Sequence, residues 1–208
     1  MRVLVVGATG PLGREIVAGA LSAGHQVDAL VRDPEHSAAF PADVQMVQGD
    51  VLRAESLAAA VRGTDAVICA LGTPSPRQPS TLLREGSQTL IAAMKQEGPS
   101  RLVCVTLLGV GPSRSNASFL YRTVVLPMLA PMIPDKEAQE DVVRASGLNW
   151  TLVRPPRFTT GPAHGNVRVI KQGQPARAGH VVRADLARFL IDCASKNLYV
   201  GEAVAVGS

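Results

Sequence analysis

The 208-residue sequence predicts an α/β fold, a Rossmann-type doubly wound parallel sheet with helices on both faces and a small C-terminal cap. Three observations predict it. Short runs rich in Val and Leu alternate five times with segments of helical period. Those runs are continuously apolar, as in strands covered on both faces. The connections between them are a few residues long, which imposes right-handed β-α-β crossovers.

The elements follow in order. Residues 3–6 form a strand that leads into a glycine turn. The helix after it carries the stripe Leu12, Ile16, Ala20 and Leu21 and stops at Gly24. Residues 27–31 and 44–47 are the second and third strands. A helix around residues 57–61 stops at Gly63, and residues 66–71 are a fourth strand. A helix over about 79–96 precedes the fifth strand, residues 102–105. The Gly-, Pro- and Ser-rich stretch 109–118 reads as a loop. The proline-interrupted apolar stretch 119–133 is a substrate lid, a dimer face or core. A helix over about 134–146 stops at Gly147, a sixth strand covers 150–153, a strand-like run covers 167–170, and a last helix covers 185–194. Residues 1–208 are expected to form one domain, with 109–134 and 155–182 supplying a cap at the carboxyl edge of the sheet.

Composition excludes several classes. Hydrophobic residues at 46% give enough apolar surface for a large core, which rules out whole-chain disorder. Aromatics at 3% argue against a base-stacking platform. The net charge of +4 comes from singly scattered Lys and Arg, so no nucleic-acid patch is expected. The longest nearly uncharged stretch is too short to span a membrane and is broken by Pro127 and Pro131. The apolar run at residues 3–6 is too short for a signal-peptide core. Cys69, Cys104 and Cys193 are far apart with no CxxC, so no metal site or disulfide framework is expected and a cytoplasmic setting follows. A small molecule is the expected partner, and the protein a monomer or homodimer.

The turn Gly7-Ala8-Thr9-Gly10-Pro11-Leu12-Gly13 follows a strand and opens a helix. In that context Gly7 permits the tight turn, Gly10 lets backbone approach a pyrophosphate, and Gly13 lets helix and sheet pack closely. Pro11 suits the first helical turn. The second strand ends at Arg32-Asp33. An acid at that point takes the 2′-hydroxyl of NAD and an arginine accommodates the 2′-phosphate of NADP. Arg32 comes first, so NADP is favoured, while Asp33 keeps NAD open. Asp50, beside Val51, is placed to accept from the adenine amino group or to N-cap the next helix. Leu71, Gly72 and Thr73 end the fourth strand where backbone lies along the cofactor, and Thr106 ends the fifth where the nicotinamide is faced.

These segments, with Ala92-Ala93-Met94-Lys95, Ser146-Gly147-Leu148, Pro155-Pro156 and Asp185-Leu186-Ala187 before Phe189, resemble the atypical short-chain dehydrogenases/reductases of the NmrA-like kind, on the side of the biliverdin and flavin reductases. The resemblance covers nearly the whole chain. It implies an NADPH-dependent reductase of flavins or other conjugated substrates, with Pro155 on the cofactor side. Three departures qualify it. Tyr121 is followed four on by Val125 and Lys136 is preceded four before by Met132, so there is no Tyr-x-x-x-Lys pair. Leu107 stands where the flavin-reductase relatives have a serine, and Arg157 where they have a histidine.

Candidate residues for chemistry are few. Lys136 stabilises developing negative charge or holds the nicotinamide ribose, unless it is a surface lysine. Thr106 is its companion at the nicotinamide. Tyr121 is a substrate-side donor or packs on the cap, and Arg157 pairs with a substrate carboxylate or phosphate or is solvated. Phe158 completes the substrate side. The leading reading is NADPH-dependent hydride transfer to a flavin-like, quinone-like or tetrapyrrole-like acceptor. The alternative is a non-catalytic NAD(P)H-binding sensor or scaffold, and a third is an isomerase that holds its nucleotide tightly.

Overall fold

Strands and helices alternate from the start of the chain, as the apolar pattern requires. In the computed structural model, which describes residues 1–35, 40–73, 75, 77–174 and 176–207, the order is β1 (Arg2–Val6), α1 (Pro11–Ser22), β2 (Gln26–Val31), β3 (Val44–Gln48), α2 (Ala54–Val61), β4 (Ala66–Cys69), α3 (Leu82–Glu97) and β5 (Arg101–Val105). Then come α4 (Leu126–Leu129), α5 (Ile133–Arg144), β6 (Asn149–Arg154), β7 (Arg157–Thr159), β8 (Arg168–Ile170), β9 (His180–Val182), α6 (Arg183–Ser195) and β10 (Glu202–Gly207).

The main sheet has the order β3-β2-β1-β4-β5-β6-β10-β8, parallel except for β8 at one edge. Helices α1 and α6 cover one face, and α2, α3 and α5 the other. Strand residues 3–6 are fully buried between the two layers. The strand order reverses between β1 and β4, which places a crevice at their carboxyl ends.

Two parts of the reading above need correction. Residues 202–207, a short Ala/Val run, form β10 inside the main sheet beside β6, and the sequence reading left them unassigned. β8, expected in the cap, pairs antiparallel with β10 and so belongs to that sheet. What remains at the carboxyl edge is the parallel pair β7–β9 and the loops around it.

Several boundaries differ from those expected. β4 ends at Cys69, two residues early. α3 starts at Leu82 because the Asp135 carboxylate, from α5, accepts from the Leu83 and Arg84 N–H groups at 3.0 and 2.9 Å. The stretch 109–118 contains a 3-10 turn at Gly111–Asn116, and the apolar stretch after it is helical. It comprises a π-helical turn at Tyr121–Val125, then α4, then a 3-10 turn at Ala130–Met132. Pro127, Pro131 and Pro134 each sit in the first turn of a new segment, where a missing N–H costs no bond. Tyr121, Leu126 and Met132 are buried, but Phe119, Leu120, Val124 and Met128 are exposed, so the core reading fails for that face.

The amino edge is tied by one buried cation. Arg101 donates to Cys193 O at 2.6 Å, Asn149 O at 2.8 Å, Leu198 O at 2.9 Å and Thr151 Oγ1 at 2.8 Å. It thereby locks the last turn of α6 onto β5 and β6, and a cation suits a helix C-terminus. Arg101→Met would orphan those buried acceptors. The expected loss is about 2–3 kcal/mol in urea unfolding; a change within experimental error would show that water satisfies them instead.

Candidate functional site

The glycine turn has the geometry its sequence implies. Gly7 lies at φ +84°, and a Cβ there would stand 2.6 Å from Ala70 O. A Cβ on Gly13 would stand 2.1 Å from Gly7 O, so any side chain would push α1 off the turn. Gly10 caps α1 without a side chain, and the first ladder bond runs from Arg14 N–H to Gly10 O at 2.9 Å. The N–H groups of Leu12 and Gly13 therefore precede the ladder and have no intrahelical partner. No acid lies in that first turn, and Thr9 and Pro11 are exposed beside it. Unpartnered donors, the positive end of the helix dipole and bare backbone together fit a pyrophosphate. Gly72, at the facing end of β4, has open space where a Cβ would go, with Leu71 and Thr73 half-buried on either side.

Just past the end of β2, Arg32 is exposed and makes no hydrogen bond or ion pair with a described residue. Asp33 Oδ1 accepts from the Glu35 N–H at 3.0 Å, which turns that carboxylate into its own turn. Arg14, which the sequence reading passed over, donates from Nε to Thr9 O at 3.1 Å and stacks over Phe40 at 5.6 Å. Its only sequence signal is a cation directly after Gly13. Asp50 is not the N-cap of α2, because that position is Arg53. Its Oδ1 accepts from Leu52 N–H at 2.9 Å, closing the turn after β3. Val51 is buried and lies 3.0 Å from where a Cβ on Gly86 would be, so it packs on α3.

Beneath the crevice α5 presents a row of buried polar side chains. Lys136 is not the surface lysine that its acidic neighbours suggested: it is 3% exposed. Its Nζ donates to Val105 O at 3.1 Å, Gln139 Oε1 at 3.0 Å and Leu71 O at 3.4 Å, so its three protons meet three acceptors. Burial pushes its pKa down, opposed by the neighbouring Cys104, Cys69, Asp135 and Glu140. Cys69 and Cys104, opposite each other on β4 and β5, are hydrogen-bonded thiols. That bond lowers the Cys69 pKa and raises that of Cys104.

Thr106 is 5% exposed, and its hydroxyl donates to Glu140 Oε1 at 2.8 Å. Its single proton is thus committed, and only lone pairs remain to face a ligand. Glu140 also receives Arg154 Nε at 2.8 Å and Nη2 at 2.5 Å, and Arg144 at 3.3 Å. Arg154 and Glu140 are both almost fully buried. Tyr121 packs inside the cap rather than facing solvent, and burial pushes its phenol up to about 12. Pro155 is buried, its carbonyl accepting from Leu108 N–H at 3.0 Å. Arg157 and Phe158 are exposed on β7, and Leu107 is buried. The structure thus brings together Gly7 to Gly13, Leu71 to Thr73, Thr106 and Lys136 at one edge.

A glycine cradle at the point of strand-order reversal, with an unspent arginine at the end of β2, defines a dinucleotide-binding Rossmann protein. The chain belongs to the NAD(P)H-binding family, which it matches over residues 7–197. The resemblance to atypical, NmrA-like short-chain dehydrogenases/reductases agrees with that membership. It is 32% identical to the uncharacterized chloroplastic protein At2g34460 of Arabidopsis thaliana, over 80% of this chain and 62% of that protein. It is 33% identical to the (4-alkanoyl-5-oxo-2,5-dihydrofuran-3-yl)methyl phosphate reductase of Streptomyces griseus, over 75% and 48%. The chain thus spans about half the length of such curated relatives. Among solved structures it resembles ChuY, an anaerobillin reductase of Escherichia coli O157:H7, with TM-score 0.81 and 24% identity over 100% of this chain and 97% of that one. It also resembles a short-chain dehydrogenase/reductase of Veillonella parvula in complex with NADP, with TM-score 0.84 and 15% identity over 100% and 94%. Among the described residues no helix is long and apolar enough to cross a membrane.

Two measurements check the floor. Arg154→Met leaves the Glu140 carboxylate buried without its main partner and is expected to lose about 3–5 kcal/mol in urea unfolding, whereas Arg154→Met with Glu140→Leu regains more than half. Equal losses in both would mean the pair is not the stabilising unit. Lys136 gives a pH signature. Its folded pKa lies below the ordinary 10.5, so over the interval between the two the unfolded chain binds more protons and stability rises with pH. The stability of wild type relative to Lys136→Met is therefore expected to increase from neutral pH toward 10.5, and a flat difference would contradict a depressed amine.

Proposed function

We propose that this protein is an NADPH-dependent reductase delivering hydride to a flat conjugated acceptor of the flavin, quinone or tetrapyrrole type. One observation carries the reading. The protein's polar groups beneath the cradle are committed to one another: Lys136 to two strand-end carbonyls and Gln139, Thr106 to Glu140. Met132 stands four residues before Lys136, so no phenol is presented as an acid.

A reduced nicotinamide, when bound, supplies the hydride. The chain's own part is positional. The α1 N-terminus holds the pyrophosphate, Gly7 and Gly72 let backbone lie against the dinucleotide, and Arg32 meets the 2′-phosphate. Lys136 fixes the carbonyls of Leu71, two residues past β4, and of Val105, the end of β5, under the nicotinamide position, and Thr106 offers an acceptor oxygen there. General acid catalysis is worth about 10²–10⁴-fold, and acceptors that take their proton from water dispense with it. A secondary alcohol or ketone would need it, which is why conjugated acceptors are preferred here. The likeness to proteins named as reductases supports an enzyme.

The same committed donors suit a protein that binds NAD(P)H without turning it over, so one assay decides between the two. NADPH oxidation is followed by absorbance with FMN, a quinone and biliverdin as acceptors, and NADH as a parallel donor. Turnover favouring NADPH is expected. Arg32→Ala should raise the KM for NADPH about 10–100-fold, the worth of one charged hydrogen bond or two, and leave that for NADH nearly unchanged. Tight NADPH binding with no turnover on any acceptor would make the protein a sensor.

A further inference from the structure

We propose that the cap of this protein docks on an anionic bilayer surface. The exposed side of the helical run 119–128 enters the lipid interface, and the arginines beside it meet the headgroups. The proposal is independent of the reductase reading.

Charge is divided unevenly along the chain. The two cap segments, 109–134 and 155–182, hold Arg114, Arg122, Arg157, Arg168, Lys171 and Arg177 and no Asp or Glu. Six cations there exceed the +4 of the whole chain, so the rest of the protein is net acidic. Two of the six are spent: Lys171 pairs with Glu202 of β10 at 2.9 Å, and Arg168 donates to the Arg177 carbonyl. Arg114, Arg122 and Arg177 are exposed, and their side chains make no hydrogen bond or ion pair with a described residue.

The helical run supplies the apolar part. Leu120, Val124 and Met128 are spaced by four, and so are Phe119, Thr123 and Pro127. On a helix these make two adjoining rows on one side. That side is turned outward: Phe119 is 68%, Leu120 69%, Val124 49% and Met128 55% exposed, while Tyr121 and Leu126 are buried. The Thr123 hydroxyl donates to Phe119 O at 3.0 Å, so the hydroxyl of this face is spent within the helix. Large apolar side chains gathered on one exposed face mark a contact surface.

The unpaired cations stand close to that face. Arg122 lies on the run itself, and Arg114 in the 3-10 turn just before it. Arg177 is brought in from the other cap segment. Ala117 and Ala178 form a parallel bridge, and Asn116 Nδ2 donates to Gln174 O at 2.9 Å and Ala176 O at 2.8 Å.

Charge decides the occupant. A second copy on the same face would set two basic, acid-free surfaces together, which repel. A protein partner exchanges about one hydrogen bond per 100–200 Å² of interface, and the side chains of the two rows offer none. An anionic bilayer matches both features: apolar side chains enter the boundary between headgroups and acyl chains, and arginines stay at the phosphates. Pro127 and Pro131 each open a new short segment, so the run lies on the surface rather than crossing it. The run leaves β5 and leads into α5, so docking holds the carboxyl edge of the sheet at the membrane.

The test is co-sedimentation of the full chain with vesicles of phosphatidylcholine alone and of an equal mixture with phosphatidylglycerol. Binding to the mixed vesicles should be about tenfold or more stronger, and should weaken as salt is raised. At about fivefold per charge, Arg122→Glu should lower partitioning about 25-fold, and Arg114→Glu is a second reversal with the same expectation. Phe119→Asp with Leu120→Asp should lower it about tenfold or more. All of these alter exposed side chains and should keep the wild-type thermal midpoint. Equal binding to both vesicles, or undiminished binding by either the charge reversals or the apolar double variant, would overturn the proposal. No binding to either vesicle would leave the face to an acidic protein and overturn it too. So would a lipid-free dimer in sedimentation velocity that Phe119→Asp with Leu120→Asp dissociates, since the face would then belong to a second copy.

Discussion

The carboxyl edge of this sheet depends on a helix that buries charge. α5 has a polar inner face, and Asp135, Lys136, Gln139 and Glu140 all point from it into the protein. Between them they reach α3 and the carboxyl ends of the central strands. Asp135 caps α3, Lys136 binds the carbonyl ends of the β4 and β5 strands, Gln139 accepts from Lys136 and donates to Ser87, and Glu140 takes Arg154 and Thr106. Burying such groups is unfavourable unless all are satisfied. Satisfied together, they fix α3, α5 and three strand ends relative to one another, and the nucleotide crevice is cut into that fixed edge.

Rigidity of this kind has a chemical consequence. A lysine whose protons all meet protein acceptors, and a threonine whose proton meets a glutamate, are poor sources of a proton for a substrate. Under the proposed function, the groups that make the floor firm are withdrawn from acid–base work and the site contributes placement. That division separates this chain from a short-chain dehydrogenase with Tyr and Lys poised together, and it rests on Met132 occupying the place of the tyrosine.

Most of the fold was legible because its signals are local. Apolar runs marked β1, β4 and β5, and the glycine turn announced its own geometry through Gly7 and Gly13. The errors arise where distant residues decide. α3 begins late because Asp135, some fifty residues on, supplies its cap, and no local signal carries that information. Residues 202–207 are an ordinary apolar run until β6 is available beside them. Lys136, between Asp135 and Glu137, has the sequence of a solvated first turn, and its burial follows only from the carbonyls waiting at Leu71 and Val105. The cap alternative for Asp50 fails because Arg53 holds the N-cap position of α2, and Asp50 Oδ1 closes its own turn instead.

The cations at the edge sort into two kinds, and the sorting is what makes the site readable. Lys136 and Arg154 are buried, saturated and internal. Arg32, Arg157 and Arg183 make no hydrogen bond or ion pair with a described residue. Unpaired like charges around one crevice repel, and the acids nearest them in sequence, Asp33 and Asp185, accept from backbone N–H groups. A polyanionic nucleotide bound in the crevice would offset that repulsion. The overall charge of +4 says little by itself, because it averages over both kinds. Position distinguishes them: Arg32 stands at the end of β2, Arg157 on β7, and Arg183 at the start of α6 beside the exposed Phe158 ring.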